Sequence, residues 1–185
     1  EELLEEGFVL VGDTMDEITT SINENLELQL DVPPISDLTV EVTNRCNERC
    51  IHCYLPNKLK DKGTAMNLEK LKLLIDSFAE MEGRTVTLTG GEVFLYKEIK
   101  DLLYYIHQRH IRIIIYSNLI VLNDEMLRIL ESVNIDHIQV SLYGVHPEIH
   151  DTITGVKGSC ERTLRSIKML LKTQIPLKIA CPVMR

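Results

Sequence analysis

The 185-residue chain has no apolar run long enough to cross a bilayer as a helix, and no basic-then-apolar secretory pattern opens it. Neither a membrane partner nor export is therefore expected. It also lacks the makings of a disulfide framework. Its five cysteines are odd in number, three of them crowd together, and Cys160 and Cys181 stand far off and single. That usage suits a reducing compartment, so the expected location is cytoplasmic. Basic residues are in the minority, with 20 Lys and Arg against 28 Asp and Glu and a net charge of −8. This balance speaks against a dominant phosphate-binding surface and against nucleic acid as a partner. The shortage is local: residues 1–31 hold ten acids and no Lys or Arg, which leaves the remainder nearly neutral.

Hydrophobic residues make up 44% of the chain, enough for one globular core. The acidic head reads as a short helix over Glu1–Glu6, an apolar piece over Phe8–Val11, and a second helix from about Asp13, capped by Asp13 or Thr14. Val32-Pro33-Pro34 forms an extended hinge that separates this extension, 1–34, from a main domain over 35–185. Beyond the hinge, strands and helices alternate. Strands are expected at Leu38–Thr43, Thr85–Thr89, Ile111–Tyr116, Ile138–Leu142 and Leu177–Val183. Helices are expected from the Asn67 cap through Met81, near Glu98–Arg109, near Asp124–Ser132 and near Cys160–Thr173. The third strand is an unbroken apolar run after Arg112, as for a strand covered on both faces. The alternation predicts an α/β fold with a parallel sheet and right-handed crossovers, whose ligands bind at strand C-termini.

The crowded cysteines are Cys46, Cys50 and Cys53, spaced C-x3-C-x2-C directly after the first strand. Three thiolates this close can hold three irons of a [4Fe–4S] cube, and a missing fourth ligand leaves one iron free for a small molecule. Two other readings stay open on spacing alone. The three could be buried thiols on one helical face, although Asn47, Glu48 and Arg49 continue no apolar stripe. They could also be a zinc site with His52 as fourth donor, although no second ligand pair follows. Cys160 and Cys181 read as small buried apolar residues.

A second motif, Gly90-Gly91-Glu92, ends the second strand. Glycines there permit positive φ or close backbone approach to a ligand, and the following carboxylate suits a ligand ammonium. Alone it is more often a turn; one βα unit after a three-cysteine loop it becomes specific.

Together with Tyr116-Ser117-Asn118 and Val140-Ser141-Leu142-Tyr143-Gly144, these motifs resemble those of the radical S-adenosylmethionine (radical SAM) enzymes. The stretch from His150 to Ser159 is similar to the peptide-modifying branch that carries a C-terminal SPASM domain with further clusters. The resemblance implies a TIM-like (βα)6 barrel, of which about five parallel strands are present here. The chain therefore reads as an N-terminal fragment of a longer enzyme. It implies Cys46, Cys50 and Cys53 as cluster ligands, with SAM on the open iron and His52 near the adenine. It further implies Gly90, Gly91 and Glu92 around the methionine amino group, and Ser117, Asn118 and Ser141 near ribose and carboxylate. No catalytic acid or base is implied. Three positions depart from the pattern: Tyr143 stands for an aspartate, Thr154 for an arginine and Cys160 for a phenylalanine. The implied partners are a peptide or protein substrate and an electron donor such as flavodoxin or ferredoxin. The acidic head would then be either a solvated appendage or part of a leader-recognition region. The implied chemistry is reductive cleavage of SAM to a 5′-deoxyadenosyl radical that matures a ribosomal peptide. Alternatives are sulfatase-type side-chain oxidation or cofactor assembly, and, from another class, a zinc- or cluster-bearing module without turnover.

Overall fold

A computed structural model describes residues 35–182. The acidic head, the Pro-Pro hinge and the expected end of the last strand at Val183 lie outside the described residues. Five strands form one parallel sheet in the order β1-β2-β3-β4-β5: β1 Asp37–Thr43, β2 Thr85–Gly90, β3 Arg112–Ser117, β4 Ile135–Ser141 and β5 Leu177–Ala180. Each strand pairs with its sequence neighbour, so every crossover steps the same way. Right-handed crossovers stepping one way place their helices on one face, as in a barrel.

The connections hold α1 Asn57–Lys62, α2 Leu68–Glu80, α3 Ile99–His107, α4 Asp124–Ser132, α5 Pro147–Thr154 and α6 Ser159–Leu170. A single 3-10 turn at Val93–Leu95 follows β2. Asn67 caps α2 by accepting from Lys70 N at 3.1 Å, and Asn123 caps α4 by accepting from Met126 N at 2.8 Å. Four of the helices were expected within a few residues. Helices α1 and α5 were not, because six and eight residues are too few for an apolar period to show. None of the described helices is long and apolar enough to cross a membrane.

The register sorts the sheet into two unlike faces. Val40, Leu88, Ile115 and Ile138 pair across four strands and are buried beneath the helices with Leu71, Phe78, Leu102, Ile106 and Leu130. The alternate positions carry Thr39, Glu41, Thr87, Thr89, Tyr116, Gln139 and Lys178. The expectation that β3 is covered on both faces is corrected here. Ile113 and Ile115 are buried, whereas Arg112 and Tyr116 are exposed and Ile114 is half-buried. One-sided crossovers leave the second face without helices, and apolar content alone could not reveal that. β4 likewise begins at Ile135, three residues earlier than expected, on the far side of polar Asp136 and His137.

Candidate cofactor site

The cysteine loop leaves β1 and folds back over the C-terminal ends of β2, β3 and β4. Its course is fixed by backbone bonds to distant segments. Gly91 N donates to Thr43 O at 2.7 Å and Glu92 N to Arg45 O at 2.8 Å, which seat the loop on β2. Arg49 N donates to Thr154 O at 2.8 Å and Ile51 N to Ile153 O at 2.9 Å, which tie it to the end of α5. The two glycines are there for that approach. Gly90 has φ of +142°, and a Cβ on it would lie 2.2 Å from Thr43 O; one on Gly91 would lie 2.3 Å from Arg45 O. The glycines thus admit the chain's own loop as well as facing the cavity.

Beneath the loop is a cavity of about 240 Å³. Cys46, Cys50 and Cys53 all border it, half-buried and free of disulfides. So do His52, Gly90, Gly91, Ser117, Asn118 and Ser141. Glu92 does not. Its carboxylate lies wholly inside, 1% exposed, accepting from Ser117 Oγ (2.7 Å), Asn118 N (2.8 Å) and Phe94 N (3.1 Å). Burial raises its pKa and these three donors offset part of the rise. The resemblance gives this side chain a place against a ligand ammonium; in the structure it clamps two wall residues from behind. Ser117 and Asn118 are the residues it holds. Asn118 also donates through Nδ2 to Asn47 Oδ1 at 2.7 Å, and its carbonyl accepts from Thr163 Oγ1 at 2.9 Å.

Sequence reasoning passed over several wall residues. Thr89, Tyr116 and Gln139 come from the polar face of the sheet, where a polar residue at a strand's C-terminal end was the available signal. Glu48 sits between two of the cysteines, 2% exposed, with Oε1 unpartnered and Oε2 accepting from the Cys50 thiol at 3.4 Å. Burial pushes its pKa up to about 7. Lys60, in α1, is 2% exposed, borders the cavity, and has a single long contact, 3.5 Å to Glu48 O. Among the described wall residues it is the one Lys or Arg. No pattern marks it in advance, since lysines are rarely buried.

Burial also raises Cys46, and burial with the Glu48 carboxylate beside it raises Cys50 to about 12. At both, burial favours the neutral thiol, and a metal bound there would have to displace the proton. No three His, Cys, Asp or Glu side chains among the described residues are gathered closely enough for one ion. Three sulfurs opening onto one cavity fit a cubane, in which each takes a different iron. The departures also find their places. Tyr143 enters the cavity wall, while Thr154 is fully buried and hydrogen-bonds Ser159 Oγ at 2.7 Å. Cys160 is buried as expected. Cys181 is exposed, contrary to expectation, because it follows the edge strand β5 where no described element packs on it.

Residues 40–185 match the family described as the Radical SAM superfamily. The chain belongs to it. Among curated proteins, this radical SAM chain is 32% identical over 146 residues to the antilisterial bacteriocin subtilosin biosynthesis protein AlbA of Bacillus subtilis, covering 78% of this chain and 32% of that protein. It is 30% identical over 142 residues to the Fe-coproporphyrin III synthase of Methanosarcina barkeri, covering 77% of this chain and 35% of the relative. Its fold is similar to that of Streptococcus suis SuiB, solved bound to precursor peptide SuiA (TM-score 0.72, 17% identity, 96% of this chain and 43% of SuiB). The chain spans about a third of the length of the curated relatives it matches.

Proposed function

We propose that Cys46, Cys50 and Cys53 hold three irons of a [4Fe–4S] cluster, that SAM binds in the cavity beside them, and that the whole protein matures a peptide. The observation that carries this reading is the opening of three free thiols onto one cavity at the ends of β2, β3 and β4. Bound together, cluster and SAM would supply the radical chemistry, one-electron cleavage of SAM followed by abstraction of a hydrogen atom from the substrate. The electron comes from a carrier of the flavodoxin or ferredoxin kind.

The chain's own residues bind, orient and exclude water. His52, on the cavity rim with its ring edge-on to Tyr143 at 4.9 Å, offers a surface for the adenine. Gly90 and Gly91 present backbone to the methionine ammonium. Ser117, Asn118 and Ser141 face the ribose and carboxylate, with Lys60 as the one Lys or Arg of the described wall to offer the latter a positive charge. Glu92 acts through Ser117 and Asn118 as a positioning residue.

The likeness to a bacteriocin-biosynthesis protein supports a peptide as substrate. The likeness to a haem-pathway synthase supports the second reading, assembly of a tetrapyrrole or other small cofactor. The test uses the full-length protein reconstituted anaerobically with iron and sulfide. Wild type should turn brown and cleave SAM. Cys50→Ser should lose both iron and colour, since a hard alkoxide replaces thiolate poorly on iron, and Cys160→Ser should keep them. Equal iron in the two variants refutes the ligand assignment, and a colourless zinc-loaded wild type refutes the cluster. Stimulation of deoxyadenosine release by a short peptide, but not by a porphyrin, decides between the substrates.

A further inference from the structure

Tyr143 is the one aromatic residue that reaches a cysteine sulfur among the described residues. It leaves β4 two residues after Ser141 and enters the cavity wall. Its hydroxyl points at Cys50 Sγ, 3.9 Å away, at the long end of the reach of a sulfur acceptor. Two imidazoles pack against the ring. The His52 imidazole meets it edge-on at 4.9 Å, and the His150 imidazole lies tilted against it at 5.4 Å. The backbone is fixed as well: Tyr143 N donates to His150 Nδ1 at 3.2 Å, and His150 is fully buried. A side chain fixed at both ring and backbone keeps its hydroxyl aimed at one atom.

We propose that the Tyr143 hydroxyl hydrogen-bonds the cluster-ligating sulfur of Cys50 and raises the cluster's reduction potential. This rests on the cluster assignment above. Hydrogen bonds to the sulfurs of an iron–sulfur centre are among the features that set its potential, because a donor stabilises the extra negative charge of the reduced state. The other side-chain contact on the same sulfur is Glu48 Oε2, at 3.4 Å. A smaller side chain at 143 would also open the sulfur to water, so the test must keep the ring.

The experiment is a reductive titration of the reconstituted full-length protein, followed by electron paramagnetic resonance, with iron content measured in parallel. In Tyr143→Phe the ring and its histidine contacts remain while the donor is lost. Iron content should match wild type and the midpoint should move to a more negative potential. A second variant carries 3,5-difluorotyrosine at position 143, nearly the same shape with a more acidic hydroxyl. Its midpoint, measured at a pH where that hydroxyl is still protonated, should move positive. Opposite shifts support the bond. An unchanged midpoint in either iron-replete variant, or a shift of the same sign in both, overturns it. If Tyr143→Phe does not take up iron, the fluorinated variant alone decides. If wild type takes up no cluster, the functional reading itself has failed, and that failure is seen before any variant is titrated.

Discussion

At Glu92 three donors converge on one buried carboxylate, and this convergence changes what the side chain is for. An amide in its place keeps one acceptor oxygen but turns the other position into a donor, aimed either at Asn118 N–H or at the Ser117 hydroxyl and Phe94 N–H. Leaving a buried donor unpaired costs about 1–3 kcal/mol. Glu92→Gln should therefore lower the stability of the ligand-free protein by about 2 kcal/mol in urea unfolding. It should also weaken SAM in calorimetry, because Ser117 and Asn118 shift, while iron content stays at the wild-type level. Unchanged stability would remove the clamp. The sequence marked the residue by its place after two glycines. It could not give the direction of the side chain, because two of the three donors lie 25 and 26 residues away, at the end of another strand. The three cysteines were easier, since their spacing alone confines them to one loop. Lys60 and Gln139 carried no spacing signal and entered the site only through the fold.

The elements of the sheet were legible wherever a strand sat between a cap and a turn, as for Thr85–Gly90 and for the helix behind Asn67. What alternation could not convey was that all crossovers lie on one side, which leaves Tyr116 and Gln139 facing the site. The join between the cysteine loop and β2 belongs to this scale. A methyl group on Gly91 meets the Arg45 carbonyl at 2.3 Å, and both are backbone, so neither can rotate away. Gly91→Ala should force the loop off the strand end. The expected result is a loss of about 3 kcal/mol, the upper range for overpacking, together with incomplete cluster uptake. Iron content and urea midpoints of Gly91→Ala, set beside those of Gly83→Ala, test this. At Gly83 the added methyl meets the Phe78 ring, away from the cysteine loop, so that variant should lose stability yet keep its iron. Equal iron loss in both would mean that cluster uptake follows general stability rather than the seating of the loop.

For the whole molecule, charge is divided as unevenly as polarity. A segment with ten acids and no Lys or Arg precedes a nearly neutral remainder. Under the peptide reading it steers a basic leader, mainly through association rate. Exposed charges are screened beyond about 8 Å at physiological ionic strength. Leader affinity should thus fall as salt rises, and deleting residues 1–32 should remove that salt dependence while SAM cleavage without peptide persists. An unaltered salt profile would make the head a solvated appendage. The strand order bears on a different matter, the sequence of events during synthesis. Each strand pairs with the one made just before it, so the sheet can grow as the chain emerges. The cysteine loop is the exception. It is made early, with β1, but Arg49 and Ile51 find their backbone partners only at Thr154 and Ile153, about a hundred residues later. Until the ribosome has delivered α5, the three cysteines have half of their scaffold, and a nascent chain ending before His146 should fold its first strands yet fail to retain iron.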